Sequence, residues 1–156
     1  MKNTEKLIKI CDALQLEDVD VVEMLALSHI EMDEEDAEDL LSGEVETLDY
    51  EVLEAFLNGI IVFNRGEAPL KPGQTERIPT PVEDPRSINN VVLKKLKIAF
   101  SFSSDDMLEL LNEGELKTSK EKLSSLFRKE GHKSYKYCRD IYLNAFLEAL
   151  GKKEVM

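Results

Sequence analysis

Carboxylate side chains at helical spacing are the first residues in this sequence that suggest chemistry. Asp106 and Glu109 are three positions apart, so on a helix both would face the same side, where they could hold a divalent cation. Metal sites of this kind in helical bundles usually add a Glu-x-x-His pair, and none accompanies these acids. The other interpretation places the acids in the first turn of a helix, where negative charge favours the helix dipole. The second interpretation is preferred, and we predict no metal and no cofactor.

The sequence contains no pattern typical of an enzyme. His29 and His132 have no carboxylate or cysteine partner at ligand spacing, and Cys11 and Cys138 stand alone. A glycine-rich phosphate loop, a G-x-S-x-G motif and a zinc-type cysteine pattern are all missing. We therefore predict that the protein is not an enzyme.

Basic side chains, interleaved with tyrosines, cluster in the C-terminal half of the sequence. Their spacing predicts a basic face, which is the better candidate for function because it could dock an acidic surface of another molecule. This face is formed by Lys94, Lys97, Lys120, Arg128 and Lys136. A solvated helix surface is the other interpretation of these charges.

Nucleic-acid binding is the alternative function for the basic face. In a helix-turn-helix, the exposed readers on the second helix would be Lys120, Ser124, Ser125 and Arg128. The connector 113–118 is longer than the three or four residues of that motif. The matching helix of the N-terminal half is strongly acidic and would repel phosphates. Protein binding is therefore the first hypothesis, and nucleic-acid binding is the second.

The elements that must position these residues occur twice along the chain. When the N-terminal half is shifted by 86 positions its apolar residues coincide with those of the C-terminal half, and Leu25 falls on Leu111. The second half gains four residues around 131–134. Beyond them a shift of 90 aligns the triplet at 55–57, Ala-Phe-Leu, with an identical triplet at 145–147. The sequence therefore predicts an internal duplication.

Each copy is predicted to form four helices, because apolar residues recur at spacings of three and four. No long stretch alternates with a period of two, so no strand is predicted. Asp33 and Thr118 are the predicted N-caps of the third helix in each copy. The predicted core consists of Leu7, Leu14, Met24, Leu25, Leu40, Phe56, Leu57, Leu93, Phe100, Leu110, Leu111, Leu126, Phe146 and Leu147.

The fold class is all-α, with two tandem four-helix repeats related by internal duplication and joined by a proline-rich linker. Repeat one spans 1–66, the linker spans 67–88 and repeat two spans 89–156. All five prolines fall in the linker, which is predicted to be extended because proline lacks a backbone N–H and disfavours helix at the preceding residue.

The charge of the chain is divided unequally between the repeats. Residues 1–86 carry 7 basic and 22 acidic side chains, a net charge of −15, whereas residues 87–156 carry 13 basic and 10 acidic side chains, a net charge of +3. Opposite surfaces on related repeats suggest divided roles or mutual attraction. The basic face is therefore expected to dock an acidic surface, either that of repeat one or that of another protein.

The compartment is predicted from what the sequence lacks. No segment approaches the roughly 20 apolar residues of a membrane span, and the first residues lack the apolar core of a signal peptide. Two isolated cysteines are typical of reduced thiols. These features predict a soluble cytoplasmic protein that does not contact a membrane.

The run at 88–107, INNVVLKKLKIAFSFSSDDM, and the block at 56–59, FLNG, resemble a bacterial family, the YehS-like proteins. The resemblance covers nearly the whole chain and is weakest in the linker. It implies a small, all-helical, cytoplasmic bacterial protein, a duplicated domain of unknown function without an assigned catalytic residue. The shared polar residues mark either a functional surface or helix caps: Asn89, Asn90, Lys94, Lys95, Asp105 and Asp106.

These features together predict a non-enzymatic interaction or regulatory protein. Its partner is predicted to be another protein or a second copy of the chain, as in a homodimer, with nucleic acid as the alternative. The candidate partner-binding residues are Asn89, Asn90, Lys94, Lys95, Lys97, Asp105, Asp106, Lys120, Arg128 and Lys136.

Overall fold

A computed structural model describes residues 1–67, 72, 82–153 and 155 of the chain. Repeat one contains α1 (Asn3–Leu14), α2 (Asp18–Leu27), α3 (Glu34–Ser42) and α4 (Tyr50–Arg65). A short 3-10 helix, Pro85–Ser87, leads into repeat two. Repeat two contains α5 (Ile88–Ala99), α6 (Ser104–Leu111), α7 (Lys120–Leu126) and α8 (Asp140–Lys153). The described residues form no strand, and the predicted all-α fold with four helices per repeat is confirmed.

The linker differs from its predicted conformation at Pro85–Ser87. Pro85–Ser87 is helical rather than extended, because the Asp84 carboxylate accepts a hydrogen bond from the Arg86 N–H at 2.9 Å and caps the turn. Proline suits the first position of such a turn, where its missing N–H has no partner to lose. The extended conformation predicted for 68–71 and 73–81 lies outside the described residues.

Helix caps decide where the third helix of each repeat begins. The Asp33 carboxylate accepts a hydrogen bond from the Asp36 N–H at 2.8 Å, as predicted. In repeat two the prediction was wrong by one residue: Ser119, not Thr118, caps α7, accepting from the Lys122 N–H at 3.1 Å. Thr118 is buried, and its backbone N–H is already engaged by the Asn112 side chain.

The first helix of each repeat packs mainly on the last helix of the other repeat. Helix α5 packs on α4, and α1 packs on α8, while α2 packs on α4 and α6 on α8 within their own repeats. This pattern is the one that a two-fold relation between the repeats would produce. Polar contacts between the repeats show the same relation. Lys9 donates to Asn144 Oδ1 at 2.9 Å. Lys95 matches Lys9 and Glu54 matches Asn144, and Lys95 Nζ lies 3.8 Å from Glu54 Oε2.

Gly59 allows α2 and α4 to approach closely in repeat one. A Cβ atom at this position would lie 1.9 Å from the carbonyl oxygen of Met24, a distance that no side chain tolerates. Glycine in the middle of a helix costs up to about 1 kcal/mol, so its presence here is explained by the close packing of the two helices.

One apolar core runs through both repeats. Thirteen of the fourteen predicted core residues are buried, and Phe56 and Phe146 are its largest fully buried side chains. Phe100 is only partly buried, because it follows the last residue of α5 where the chain turns, and its ring lies 5.7 Å from that of Phe102. No helix in the described part of the chain has the length and apolar character to cross a membrane.

Replacement of Phe146 by alanine should lower the free energy of unfolding by about 3–5 kcal/mol, because the ring is fully buried and its removal leaves a cavity. Urea denaturation monitored by circular dichroism measures this loss. Ile141→Ala on the same helix is the control, since Ile141 is 54% exposed and its truncation should have little effect. Equal stability of the Phe146→Ala variant and the parent would contradict this packing.

Residues 1–66 alone should not unfold cooperatively as a monomer. This fragment lacks α5 and α8, on which α4 and α1 pack, and a chain of about 60 residues is already marginally stable. Thermal melts and sedimentation of the fragment test the prediction. Addition of a second fragment, 82–156, should restore a cooperative melt. A monomeric fragment 1–66 with a sharp transition would mean that the reciprocal packing is dispensable.

Candidate functional site

Side chains from α5, α6 and α7 surround an open pocket of about 430 Å³ on repeat two. Its lining combines basic with apolar side chains, Lys94, Lys97, Lys120 and Arg128 with Ile98, Leu108, Leu123 and Phe127, and is completed by one acid, Asp105, and by Ser104 and Ser124. The apolar members are buried or half-buried, whereas three of the four basic ones are exposed and Lys97 is half-buried. The pocket therefore has an apolar floor and a basic rim.

Helical spacing explains why these side chains converge. Lys94 and Lys97 are three positions apart on α5 and share one face of that helix. Lys120 and Ser124 lie one turn apart on α7, and Phe127 follows at the C-terminal end of that helix. Lys97 Nζ lies 5.9 Å from the centroid of the Phe127 ring, a distance at which a cation is attracted to an aromatic face.

A second pocket of about 490 Å³ continues from the first, since both are lined by Lys94, Phe127 and Arg128. It extends towards the segment that precedes α5 and the loop that follows α7, where Lys129 and Tyr135 join its lining. We name the two pockets together the basic groove.

A hydrogen-bonded chain of side chains holds the far wall of the basic groove. Tyr135 donates its hydroxyl to Ser87 Oγ at 2.8 Å, and Ser87 donates in turn to the carboxylate of Glu130. The backbone N–H of Glu83 also donates to Glu130, at 3.1 Å. These donors, with Ser87 foremost, lower the pKa of Glu130 below its ordinary value.

Asn89 and Asn90 are buried, and their side chains form hydrogen bonds within repeat two. Asn90 donates to the carbonyl oxygens of Leu126 and Lys136 at 3.0 and 2.9 Å and accepts from the Cys138 N–H at 2.8 Å. Asn89 donates to the Cys138 carbonyl at 2.9 Å and to Asp140 Oδ1 at 2.7 Å. Neither asparagine is an N-cap: the Asn90 amide holds the last carbonyl of α7 as well as the segment that leads into α8, and the Asn89 amide holds that same segment. Asn90 also reaches the lining of the second pocket.

Lys95 points away from the basic groove and towards α4. Its Nζ donates to Asn58 Oδ1 at 2.7 Å and lies 3.8 Å from the carboxylate of Glu54. The side chain of Lys95 is 14% exposed, and that of Glu54 is 3% exposed. Burial lowers the pKa of Lys95, and the Glu54 charge opposes this shift. Lys95 therefore belongs to the contact between the repeats and is not accessible to a partner.

The remaining candidate residues divide between the groove and other positions. Asp106 forms a capping box with Ser103, accepting from its N–H at 2.8 Å, and these hydrogen bonds lower the pKa of Asp106. Asp105 is exposed and lines the first pocket. Lys136 is exposed but lines neither pocket of the groove, so it is not part of the basic convergence. Lys94, Lys97, Asp105, Lys120 and Arg128 are thus the candidates that the fold brings together around the first pocket.

Repeat one carries carboxylates where repeat two carries part of the basic groove. With the shift of 86 positions, Asp18, Glu34 and Glu38 match Ser104, Lys120 and Ser124. We name the three acids the acidic cluster, because their carboxylate oxygens lie within 4.8 Å of one another. The hydrogen bond with Asp18 and the surrounding negative charges raise the pKa of Glu38. Such oxygens suit a hard cation, but exposed acids alone do not make a metal site, and none is proposed.

Sequence reasoning missed the apolar half of the groove and the acidic cluster. Phe127 and Leu108 are not among the residues predicted for the basic face, although Phe127 lies one turn from Ser124 and next to Arg128, a spacing that could have placed it there. The acidic cluster joins Asp18 on α2 to two residues of α3, and no local pattern brings these helices together.

Comparisons with known proteins place the chain near proteins without an assigned activity. A family model described as "Protein of unknown function (DUF1456)" matches residues 3–66 and 89–154, which correspond to the two repeats. The Escherichia coli (strain K12) protein YehS, described as uncharacterized, is 37% identical over 103 residues. This alignment covers 66% of the chain and 62% of YehS, which is less than two thirds of the relative's length. The search of solved structures finds no match. The resemblance inferred from the sequence is confirmed.

Replacement of Asp140 by asparagine should destabilise the protein at neutral pH but not at low pH. The α-ammonium group of Met1, 2.8 Å from Asp140 Oδ2, and the Asn89 amide lower the pKa of Asp140. A lowered carboxyl pKa stabilises the folded state above the unfolded pKa of about 3.9, and this contribution is lost as the pH falls through the folded value. Because the Asp140 side chain is 45% exposed, we expect a loss below about 1 kcal/mol at pH 7.

Urea denaturation of the parent and the Asp140→Asn variant across the acidic range measures this difference. Asp105→Asn is the matched control, since Asp105 is an exposed carboxylate of repeat two. A loss of stability in the Asp140→Asn variant that is independent of pH would contradict the assignment of the effect to this carboxylate.

Proposed function

The chain belongs to the DUF1456 family, whose description names no activity, and we propose that this member is a non-enzymatic protein-binding module. The proposed binding site is the basic groove of repeat two. The proposed partner presents an acidic segment that also carries apolar side chains. The observation that carries this proposal is the convergence of Lys94, Lys97, Lys120 and Arg128 over an apolar floor.

The mixed lining of the groove defines the chemistry of the partner. Burial of apolar side chains on the floor contributes a favourable transfer free energy of about 25 cal/mol for each Å² removed from water, and the part that exceeds the cost of association and ordering appears as affinity. The basic rim contributes orientation and a faster encounter rather than most of the affinity. An amphipathic acidic helix satisfies both requirements, because its apolar stripe enters a groove while its charged flanks face the rim.

The state of the thiols supports a non-enzymatic role in a reducing cytoplasm. Cys11 and Cys138 are free and buried. Burial raises the pKa of each thiol to about 12, with neighbouring carboxylates adding to the shift. Thiols of this kind are not nucleophiles at neutral pH.

Nucleic-acid binding is the second candidate function, favoured by four basic side chains at one place. The geometry of α7 argues against nucleic-acid binding by a helix-turn-helix. Helix α7 has only seven residues, and Lys120 and Ser124 line a concave pocket together with α5 and α6. A recognition helix instead projects its readers into the major groove. A single strand held along the groove is the form of this alternative that fits the concave shape.

Reversal of three groove charges should abolish binding of an acidic amphipathic peptide. The variant is Lys94→Glu, Lys97→Glu and Arg128→Glu, and the probe is a synthetic helix with one leucine face and one glutamate face. Fluorescence anisotropy should show salt-dependent binding by the parent and a loss of at least about tenfold for the variant, or about 1.4 kcal/mol. Phe127→Ala should weaken binding with little change in its salt dependence, because it removes only apolar floor.

The matched control is Lys117→Glu, Lys133→Glu and Lys152→Glu, which makes the same charge change at exposed positions outside the groove. This control should bind the peptide like the parent. Equal peptide binding by the parent and the groove variant would overturn the proposal. Binding of single-stranded RNA that is lost only in the groove variant, without peptide binding by the parent, would establish the alternative.

A further inference from the structure

We propose that the acidic segment that occupies the basic groove lies on a second copy of this chain. The segment is the face of α2 and α3 that carries the acidic cluster, Asp18, Glu34 and Glu38. This inference rests on the proposed function, because it names the partner of the same groove. It predicts self-association in which repeat two of one molecule holds repeat one of another.

Charge complementarity is the first argument for this partner. Lys94, Lys97, Lys120 and Arg128 place four positive charges around the first pocket of the groove. The three carboxylates of the acidic cluster lie within 4.8 Å of one another. The hydrogen bond with Asp18, followed by the negative charges around it, raises the pKa of Glu38. A basic surface would relieve this repulsion, and at a Debye length of about 8 Å only such direct contact is effective.

Apolar complementarity is the second argument. Val19 follows Asp18 on α2 and is 48% exposed, and within the described ranges of the chain only Phe63 and Ile141 share this exposure among large apolar side chains. Val22, three positions further on, is half-buried on the same side of the helix. The face with the acidic cluster therefore presents an apolar anchor beside its acids. This combination is the one that the floor and rim of the basic groove require.

The two surfaces do not meet within one molecule. The repeats contact each other mainly through the pairs α1 with α8 and α4 with α5, while α3 packs on α2 and α1. Among the ion pairs of the described residues, none joins α2 or α3 to the helices that form the groove. A second molecule is therefore needed to bring the acidic cluster to the groove.

The contact joins different surfaces of the two copies. Each copy carries one groove and one cluster, so two reciprocal contacts close a dimer and single contacts extend a chain. The matching positions of both surfaces on two related repeats are compatible with the reciprocal arrangement. Either assembly requires the same charges.

A charge-swap experiment on the full chain tests this inference. The groove variant is Lys94→Glu, Lys97→Glu and Arg128→Glu, and the cluster variant is Asp18→Lys, Glu34→Lys and Glu38→Lys. Sedimentation velocity at about 0.01 M and about 1 M salt, where the Debye lengths are about 30 and 3 Å, measures association. The parent should associate at low salt and dissociate at high salt, and each variant alone should be monomeric.

An equimolar mixture of the two variants should associate again at low salt, because each reversed surface meets a complementary one. The variants change the net charge by equal and opposite amounts, so their mixture keeps the mean charge of the parent, and restored association is not an effect of net charge. Circular dichroism melts check that both variants are folded. The Lys117→Glu, Lys133→Glu and Lys152→Glu control should associate like the parent.

A parent that remains monomeric at low salt, or a mixture that does not associate, would overturn the inference. The peptide experiment separates this failure from failure of the proposed function. If the groove still binds the acidic peptide, the function stands and only the identity of the occupant is wrong. If the groove variant binds the peptide like the parent, the proposed function fails as well.

Discussion

The structure depends on one packing constraint: neither repeat buries its first and last helices on its own. A unit of about 60 residues buries only about 60% of the surface of its unfolded chain and is marginally stable on its own. In the duplicated chain each repeat supplies the packing surface that the other lacks. Helix α5 packs on α4 of the first repeat, and α1 packs on α8 of the second. The two matched contacts join the repeats into one core, and they hold α5 in the orientation that presents Lys94 and Lys97 to the basic groove.

Helix α5 connects the core, the contact between the repeats and the groove. Successive residues on a helix point about 100° apart, so Lys94 reaches the groove while its neighbour Lys95 reaches Asn58 and Glu54 on α4. Replacing one partner of a buried pair leaves the other charge without compensation and is costly. This requirement constrains Lys95 and Glu54 and does not apply to Lys94 and Lys120, the exposed lysines of the rim.

The two repeats share a fold but differ in the charge of their surfaces. Both repeats keep the same apolar pattern, yet positions that carry Lys120 in repeat two and Glu34 in repeat one differ in the sign of their charge. Exposed positions tolerate such changes because charges at the surface contribute little to stability. The two related faces can therefore acquire opposite charge without loss of the shared core, and their complementarity underlies both proposals made for this protein.

The sequence by itself determined the elements, since the information for them is local: apolar spacing places Phe56 and Phe146 on buried faces, and short-range hydrogen bonds place Asp33 and Asp106 at helix starts. Only the tertiary structure decided which candidate residues form a site. Asn89 and Lys94 lie on the same helix, yet the Asn89 amide holds the segment that leads into α8, whereas the Lys94 side chain lines the groove. That difference depends on helices distant along the chain, whose relative positions follow from packing the whole core and not from any local pattern.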